Sequence, residues 1–454
     1  MTKKKVKKFD NPLIVKRIKR LLKIISLTFI ILFVSCSKDN KTFQKSEDGK
    51  IRLTYWCASN THEIKLARLL VSEWNDTHKD IRVKIQPIPA SKSSEEVLLA
   101  AIAGKTTPDI CSNMWSGAMD DFTSSGGLIN FDRFPDFFDY IRKRVPGDLL
   151  EFFRASDGQY YQLPWKTNPT MIMYNVKMFR EAGVIEEPRT YSEFLEAAKK
   201  LTRDLDGDGH LDQWMCYRDI NPIWWQRLFD YYPLYIAASG GKTLFDGSEI
   251  IFNNKASVNV FRFFQKLYKN GYLPITALQG DNFILGKLAT NITGPWNIAH
   301  VEKFKTEDFE YDIMPLPVPD DYNGPVYTRG DHKNISIFST TKHPEAAWEF
   351  TKYLISPEND LKLLEICTQL PLRKNLAEDP LYQPYFQENP KMRKFAEQAS
   401  YTRGVDGVSD LKEIFDGISQ EYEMCAIYGV KTPEDAVRDA AKRAKVIMEW
   451  NRSR

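Results

Sequence analysis

The chain has 454 residues, enough for two or more compact domains. Its formal net charge is +3, but ten Lys or Arg and a single Asp fall within residues 1–23, and the remainder holds 53 basic and 59 acidic residues. A body with a net charge of −6 lacks the basic face that nucleic-acid binding requires, so we predict no nucleic-acid partner.

The N-terminal segment has the pattern of a secretory leader. Its basic region precedes eleven uncharged residues, 24–34 (IISLTFIILFV), which are too few to span a bilayer and suit a signal-peptide core. The core ends at Ser35-Cys36, which resembles the lipobox of bacterial lipoproteins, although Phe33 replaces the usual Leu. We predict a signal peptide over 1–35 and lipidation of Cys36 that attaches the protein to a bacterial membrane outside the cytoplasm. The alternative is an ordinary signal peptide or an uncleaved anchor.

Residues 36–50 are polar and charged and predict a flexible tether. The cysteines that follow are odd in number and form no CxxC pair, so we expect no structural metal cluster and at most two disulfides. These cysteines are Cys57, Cys111, Cys216, Cys367 and Cys425.

The first part of the folded chain alternates strands and helices. Strand patterns cover 51–56, 81–85 and 109–111, and helical patterns cover 64–74 and 95–103. This order predicts a parallel sheet with ligand-facing loops at the carboxyl ends of its strands. Candidate residues at that edge are Trp56, Asn60, Asn113 and Trp115.

The segment 157–175 combines two strand patterns with an aromatic and polar step between them. Trp165 follows a proline and precedes Lys166, Thr167 and Asn168. An indole face beside hydrogen-bonding side chains suits a sugar, whose ring stacks while its hydroxyls find partners. The alternative is a buried strand with Trp165 in the core.

The remaining chain predicts further helices and strands. Thr190 and Glu193 form a capping box, residues 223–238 are rich in aromatics, and a strand at 289–292 leads into Gly-Pro-Trp-Asn at 294–297. A strand at 311–319 leaves in a proline-stiffened stretch, and the C-terminal helix starts near 432–433.

The run 204–212 (DLDGDGHLD) has calcium-loop spacing. Carboxylate and carbonyl oxygens at this spacing suit Ca²⁺, with His210 offering only its backbone carbonyl. The twelfth position is Met215, so the usual bidentate Glu is missing. We predict a structural Ca²⁺ site, and the alternative is a solvated Asp/Gly turn. Its ligands would be Asp204, Asp206, Asp208, His210 and Asp212.

Seven short motifs in a fixed order resemble the family 1 extracellular solute-binding proteins of bacterial ABC importers, the group that includes maltose- and glycerol-3-phosphate-binding proteins. The resemblance covers about residues 50–450. The motifs are TPDI (107–110), YYQLPW (160–165), MIMYN (171–175), KMFREAGV (177–184), GPWNI (294–298), KHPEAAWEF (342–350) and LPLRKN (370–375).

The resemblance implies an α/β, two-lobe periplasmic-binding-protein fold of type II, with the ligand cleft between lobes joined by hinge crossings. We place the crossings near Pro164, 315–319 and Pro371, giving an N-terminal lobe of 51–163 and 318–368 and a C-terminal lobe of 164–317 and 369–454. By family position, the cleft residues are Trp165, Trp296, Asn113, Trp115, Asn168, Asp331 and Arg373, with Trp56, Asn60, Trp224 and Trp225 as further candidates.

Three functions fit the sequence. The resemblance implies a binding protein that captures a mono- or oligosaccharide by lobe closure, needs no cofactor, and delivers its ligand to the transmembrane subunits of an ABC permease. Arg329, Arg373 and Lys166 leave a phosphorylated polyol open. An extracytoplasmic carbohydrate-active enzyme is the second function, although no pattern marks the required carboxylate pair. A lipoprotein for signalling or adhesion is the third.

Overall fold

The computed structural model describes residues 49–89, 93–220, 223–408 and 410–452. The chain from Ile51 onward clusters as one compact unit. The predicted signal peptide, Cys36 and nearly all of the tether lie outside the described residues. Among the residues that are described, no helix has the length and apolar character to cross a membrane.

Twelve strands lie in the described part of the chain. They are β1 (Ile51–Cys57), β2 (Ile81–Pro87), β3 (Ile110–Trp115), β4 (Leu163–Lys166), β5 (Met171–Asn175), β6 (Phe245–Asp246), β7 (Glu249–Ile250), β8 (Thr290–Thr293), β9 (Tyr311–Met314), β10 (Thr328–Arg329), β11 (Lys333–Ile337) and β12 (Thr402–Arg403).

The α-helices of the same residues pack around these strands. They are α1 (Thr61–Thr77), α2 (Ser94–Ala103), α3 (Met119–Ser124), α4 (Phe137–Arg144), α5 (Gly147–Leu150), α6 (Val176–Glu181), α7 (Tyr191–Leu201), α8 (Tyr231–Ala238), α9 (Lys255–Lys269), α10 (Trp296–Phe304), α11 (Pro344–Leu354), α12 (Pro357–Cys367), α13 (Gln383–Glu388), α14 (Pro390–Ala399), α15 (Leu411–Tyr422) and α16 (Pro433–Arg452).

The first lobe is built on a five-stranded sheet in the order β2-β1-β3-β11-β4. Strands β1, β2 and β3 are parallel, as the strand–helix alternation predicts, while β11 runs antiparallel to both β3 and β4. Helix α1 begins after Asn60, whose side chain accepts a hydrogen bond from the Glu63 backbone N–H, and it buries Leu66, Leu70 and Trp74.

The second lobe is built on a three-stranded antiparallel sheet in the order β8-β5-β9. The predicted capping box of α7 is present, since Thr190 and Glu193 exchange both hydrogen bonds. The part of the aromatic run that forms α8 is core, where Tyr231 and Tyr232 are fully buried. This lobe positions α10, whose first residue is Trp296, directly after β8.

The first crossing between the lobes follows β4, not Pro164. Lys166 pairs with Lys333 in the first sheet, and β5 of the second sheet begins at Met171. Pro371 bridges to Lys166, and the Leu372 N–H donates to the Trp165 carbonyl at 2.8 Å, so the third crossing lies beside the first.

The second crossing lies later in the chain than 315–319. The backbone N–H and C=O of Val318 bond to Arg189 and Tyr191 at 2.9 Å each, which keeps the proline-rich stretch on the second lobe. After this stretch, strand β10 pairs with β12. The next strand along the chain, β11, is the first one after the stretch to pair in the five-stranded sheet of the first lobe. The chain therefore crosses from the second lobe to the first near 330–332. The stretch 315–319 stays on the second lobe because its backbone is hydrogen-bonded beside α7.

A buried ion-pair network fastens the crossings to the first lobe. Arg144 is 3% exposed; it pairs with the fully buried Asp360 and donates to the Trp165 carbonyl at 3.0 Å and the Ile355 carbonyl at 2.9 Å. Arg373 also pairs with Asp360. A buried carboxylate is tolerable when two guanidinium groups neutralise it and satisfy its lone pairs.

Candidate functional site

A cavity of about 490 Å³, here called the interlobe cavity, lies between the two lobes. One wall comes from the start of α1, the strands β3 and β11 and the end of α12, and the other comes from α10. Its lining residues are Asn60, His62, Glu63, Asn113, Asn168, Trp296, Ala299, His300, Lys303, Phe304, Asp331, Lys333, Cys367 and Gln369.

The first-lobe wall of the interlobe cavity contains a buried ion pair. Lys166 Nζ lies 2.8 Å from Glu63 Oε1, and the two side chains are 0% and 4% exposed. Asn60 and Gln369 also donate to Glu63 Oε1, at 3.1 and 3.2 Å. Burial by itself raises the pKa of Glu63, but the charge and hydrogen bond of Lys166 outweigh it, so that pKa lies below its usual value. Glu63 is therefore an anion at neutral pH.

Asn113 holds the lysine of this pair from the other side. Its Oδ1 accepts a hydrogen bond from Lys166 Nζ at 3.0 Å. Its backbone φ is +64°, a left-handed conformation inside β3, where the pairing with β11 shifts register. Asn tolerates this region better than most residues, and such strain concentrates at binding sites.

Asp331 is a second carboxylate at the cavity. It pairs with Arg329 Nη2 at 2.7 Å and with Lys333 Nζ at 3.4 Å. Burial raises the pKa of Asp331, but the charges of Lys333 and Arg329 more than offset it and lower that pKa. Next to it, burial lowers the pKa of His332 to about 3, so this imidazole is neutral.

Helix α10 presents one face to the interlobe cavity. Trp296, His300 and Lys303 recur at helical spacing on that face, while Ile298 and Val301 pack into the second lobe. Gly294 permits this arrangement, since a Cβ there would lie 2.0 Å from the Trp296 ring. The half-buried indole is thus positioned by the backbone that leads into the helix.

A second cavity of about 630 Å³, the second-lobe cavity, also has Trp296 in its lining. Arg218 crosses its wall and donates to the carbonyls of Phe229 and Ile292 at 3.2 and 3.3 Å. Its lining residues are Tyr217, Arg218, Asp219, Trp225, Gln226, Phe229, Asp230, Leu278, Gly280, Asp281, Asn282, Phe283, Leu288, Asn291, Ile292, Thr293 and Trp296.

Six of the predicted ligand residues line these cavities. Asn60, Asn113, Asn168 and Asp331 line the interlobe cavity, Trp225 lines the second-lobe cavity, and Trp296 lines both. They come from six separate stretches of the chain, and the fold brings them to these two cavities.

The other predicted ligand residues lie elsewhere. Trp165 is 4% exposed and belongs to the first-lobe core, as the alternative interpretation of its strand predicted. Lys166 Nζ lies 4.4 Å from the centre of its ring. Arg373 is held by Asp360 and the Ile355 carbonyl. Trp56 is also core, because both faces of the first sheet are covered.

Trp115 and Trp224 contact each other between the lobes. Their ring centres lie 5.4 Å apart at 37°. Trp115 is buried, and Gly117 leaves room for it, since a Cβ there would lie 2.4 Å from the ring. This pair lines neither cavity.

Sequence reasoning missed several lining residues. In the sequence, Glu63 has the features of an ordinary first-turn residue of a helix that Asn60 caps. Its ion-pair partner Lys166 is 103 positions away, so no local pattern marks the pair. Gln369, Lys333, His300, Arg218 and Gln226 carry no local signal, because only the fold places them at a cavity.

The aspartate run folds into an exposed loop. The carboxylates of Asp204, Asp206 and Asp208 each place an oxygen within 4.8 Å of the others. Backbone N–H groups of Gly207 and Gly209 donate to Asp204 at 2.7 and 2.8 Å, which lowers the pKa of Asp204. Asp212 accepts instead from the Leu205 N–H. Calcium binding there stays a prediction.

The five cysteines in the described part of the chain are free and buried. None of these five cysteines forms a disulfide, within the predicted limit of at most two. Cys367 borders the interlobe cavity, and burial raises the pKa of its thiol to about 12.

Comparison with known proteins agrees with this geometry. A family model of bacterial extracellular solute-binding proteins matches residues 70–394. The galactooligosaccharide-binding protein of Bacillus subtilis (strain 168) is 26% identical over 419 residues, covering 90% of this chain and 92% of that protein. The maltotriose-binding protein of Pyrococcus abyssi is 25% identical over 352 residues, 74% of this chain and 70% of that protein.

Solved structures show the same fold. Protein lmo0859 of Listeria monocytogenes EGD-e aligns with a TM-score of 0.76 at 27% identity, over 88% of this chain and 100% of that chain. The cyclic alpha-maltosyl-1,6-maltose binding protein of Arthrobacter globiformis aligns with a TM-score of 0.75 at 21% identity, over 88% and 99%. The predicted two-lobe α/β architecture is confirmed, and the chain belongs to the family of bacterial extracellular solute-binding proteins.

Proposed function

We propose that this protein captures a carbohydrate in the cleft between its lobes and delivers it to the transmembrane subunits of an ABC importer. The observation that carries the proposal is the interlobe cavity, where the half-buried indole of Trp296 faces the polar side chains of Asn60, Asn113 and Gln369. An aromatic ring opposite amide and carboxylate groups matches the two faces of a sugar, one apolar and one rich in hydroxyls.

The relatives support this class of ligand. The Bacillus and Pyrococcus proteins are named for galactooligosaccharides and maltotriose, and a 24% identical relative from Streptomyces coelicolor is named for diacetylchitobiose. We extend the class, an oligosaccharide, to this chain without choosing among those sugars.

Attachment to the membrane would keep the protein near its permease. We propose that residues 1–35 are removed, that Cys36 carries the lipid, and that residues 36–50 tether the binding unit to a bacterial membrane. Two or more acyl chains would anchor it durably, since each buried CH₂ contributes about 0.8 kcal/mol. Mass spectrometry of the membrane-extracted protein tests this, because the mature N-terminus must be a lipidated Cys36.

Isothermal titration calorimetry tests the ligand class. The unlipidated protein, starting at residue 37, is titrated with maltotriose, β-1,4-galactotriose, diacetylchitobiose and glycerol 3-phosphate. Saturable binding of at least one sugar, with the sugar recovered intact by chromatography, supports capture. Binding of glycerol 3-phosphate alone contradicts it and favours the phosphorylated polyol, and released monosaccharide favours an enzyme.

A further inference from the structure

Two buried polar atoms at the cavities lack hydrogen-bond partners among the described residues. The Oε2 atom of Glu63, a lining residue of the interlobe cavity, has none, although three donors surround Oε1. The Nε2 atom of Gln226, a lining residue of the second-lobe cavity, also has none. Glu63 and Gln226 are 4% and 5% exposed. Buried polar groups of folded proteins are nearly always hydrogen-bonded, so each of these two atoms calls for a partner.

The two groups have opposite hydrogen-bonding character. Glu63 is ionised, so its free oxygen can only accept. Gln226 Oε1 lies 3.5 Å from Arg227 Nη2, so the amide turns its oxygen toward this donor and leaves its NH₂ without a partner. One cavity therefore offers an unused acceptor and the other an unused donor.

The two cavities adjoin each other at α10. Trp296 lines both. His300, which lines the interlobe cavity, contacts Asp281, which lines the second-lobe cavity, through an Nε2–Oδ2 distance of 2.7 Å. The Trp296 side chain is thus a surface that the two cavities share.

We infer that one ligand occupies both cavities, lying across Trp296 with one end bound by Glu63 and the other by Gln226. This inference rests on the proposed function and narrows it to neutral oligosaccharides of at least two units. Hydroxyl groups both donate and accept, so they can serve Glu63 and Gln226 alike. A carboxylate or a fully ionised phosphate at the Glu63 end would have no proton to donate to Glu63 Oε2.

The test combines ligand length with substitution. Calorimetry measures sugar affinities for the wild type, Glu63→Gln and Gln226→Leu. The sugars are glucose, maltose and maltotriose, and galactose with its β-1,4-linked dimer and trimer. Glu345→Gln, an exposed carboxylate of α11, is the control. One of the two trisaccharides should bind the wild type. We expect the affinity for it to fall about 10- to 100-fold in Glu63→Gln and about 2- to 10-fold in Gln226→Leu. A monosaccharide fits one cavity, so it should respond to only one substitution.

The outcomes separate this inference from the proposed function. Wild-type protein that binds none of the sugars overturns both. A monosaccharide that binds as tightly as its trimer, or a trimer that is indifferent to Gln226→Leu, overturns the inference and leaves the proposed function standing. Circular dichroism shows whether Glu63→Gln folds. If it does not, the affinities of the mono-, di- and trisaccharides for the wild type and Gln226→Leu still test the inference.

Discussion

Replacing Lys166 with methionine removes one charge from the cavity wall and keeps the length of the side chain. Lys166 is fully buried and Glu63 is 4% exposed, so the substitution leaves the Glu63 carboxylate buried without its cation. Breaking a buried pair in this way typically costs about 3–5 kcal/mol. A domain is usually stable by about 5–15 kcal/mol, so the variant should fold at neutral pH with a clearly reduced free energy of unfolding.

The cost should depend on pH. In the wild type the folded-state pKa of Glu63 lies below its unfolded value, so its stabilising contribution is present above that value, about 4.3, and disappears as the pH falls through the folded pKa. Without Lys166, burial dominates and raises the folded pKa of Glu63. The folded variant then binds a proton more readily than the unfolded chain, so the difference from wild type shrinks as the pH falls from 7.5 toward 4.5.

Urea unfolding followed by circular dichroism at pH 7.5, 6.0 and 4.5 measures this difference. Lys255→Met is the control, because Lys255 pairs with Asp321 at 2.6 Å on the surface, where both side chains are more than half exposed. Such exposed pairs contribute little to stability. A loss in Lys166→Met no larger than in the control, or a loss that is constant over the three pH values, would refute the reasoning.

Three other predictions follow from the structure. Trp296→Ala should weaken binding of the preferred sugar at least about tenfold in calorimetry while the circular dichroism spectrum is kept, since the half-buried indole lines both cavities; unchanged affinity would remove it from the site. Calcium should stabilise the protein by about 2.7 kcal/mol at 100 times its Kd, and Asp204→Asn should abolish the gain; a Tm that calcium leaves unmoved in scanning calorimetry contradicts a calcium site. Dithiothreitol should leave the Tm unchanged, because the described cysteines are free; a Tm lowered by reduction would mean that a disulfide forms.

Part of the site could be predicted because its residues stand where local patterns end. Asn60 follows the strand β1, and Asn113 follows the strand pattern at 109–111, although in the structure it lies inside β3. The carboxyl edge of a parallel sheet is where ligands bind. Trp296 follows a strand and begins a helix, next to a glycine that the close ring requires.

Trp165 shows why the same reasoning fails elsewhere. Its strand β4 is buried at all four positions, Leu163–Lys166, so no alternation distinguishes the cavity face from the core face. Whether a second layer covers that face depends on helices that are distant in sequence.

The sequence by itself determined the family, through the order of seven short motifs. It also determined the strand–helix order of the first lobe and the helix caps, because these depend on residues within one turn or one strand of each other. It also supplied Asn60, Asn113 and Trp296 as candidates. Only the tertiary structure decided that Glu63 meets Lys166, that Gln226 is left with a free amide, and that two cavities meet at one indole. Those contacts join residues far apart in the chain, and their cost or gain depends on burial, which no local pattern records.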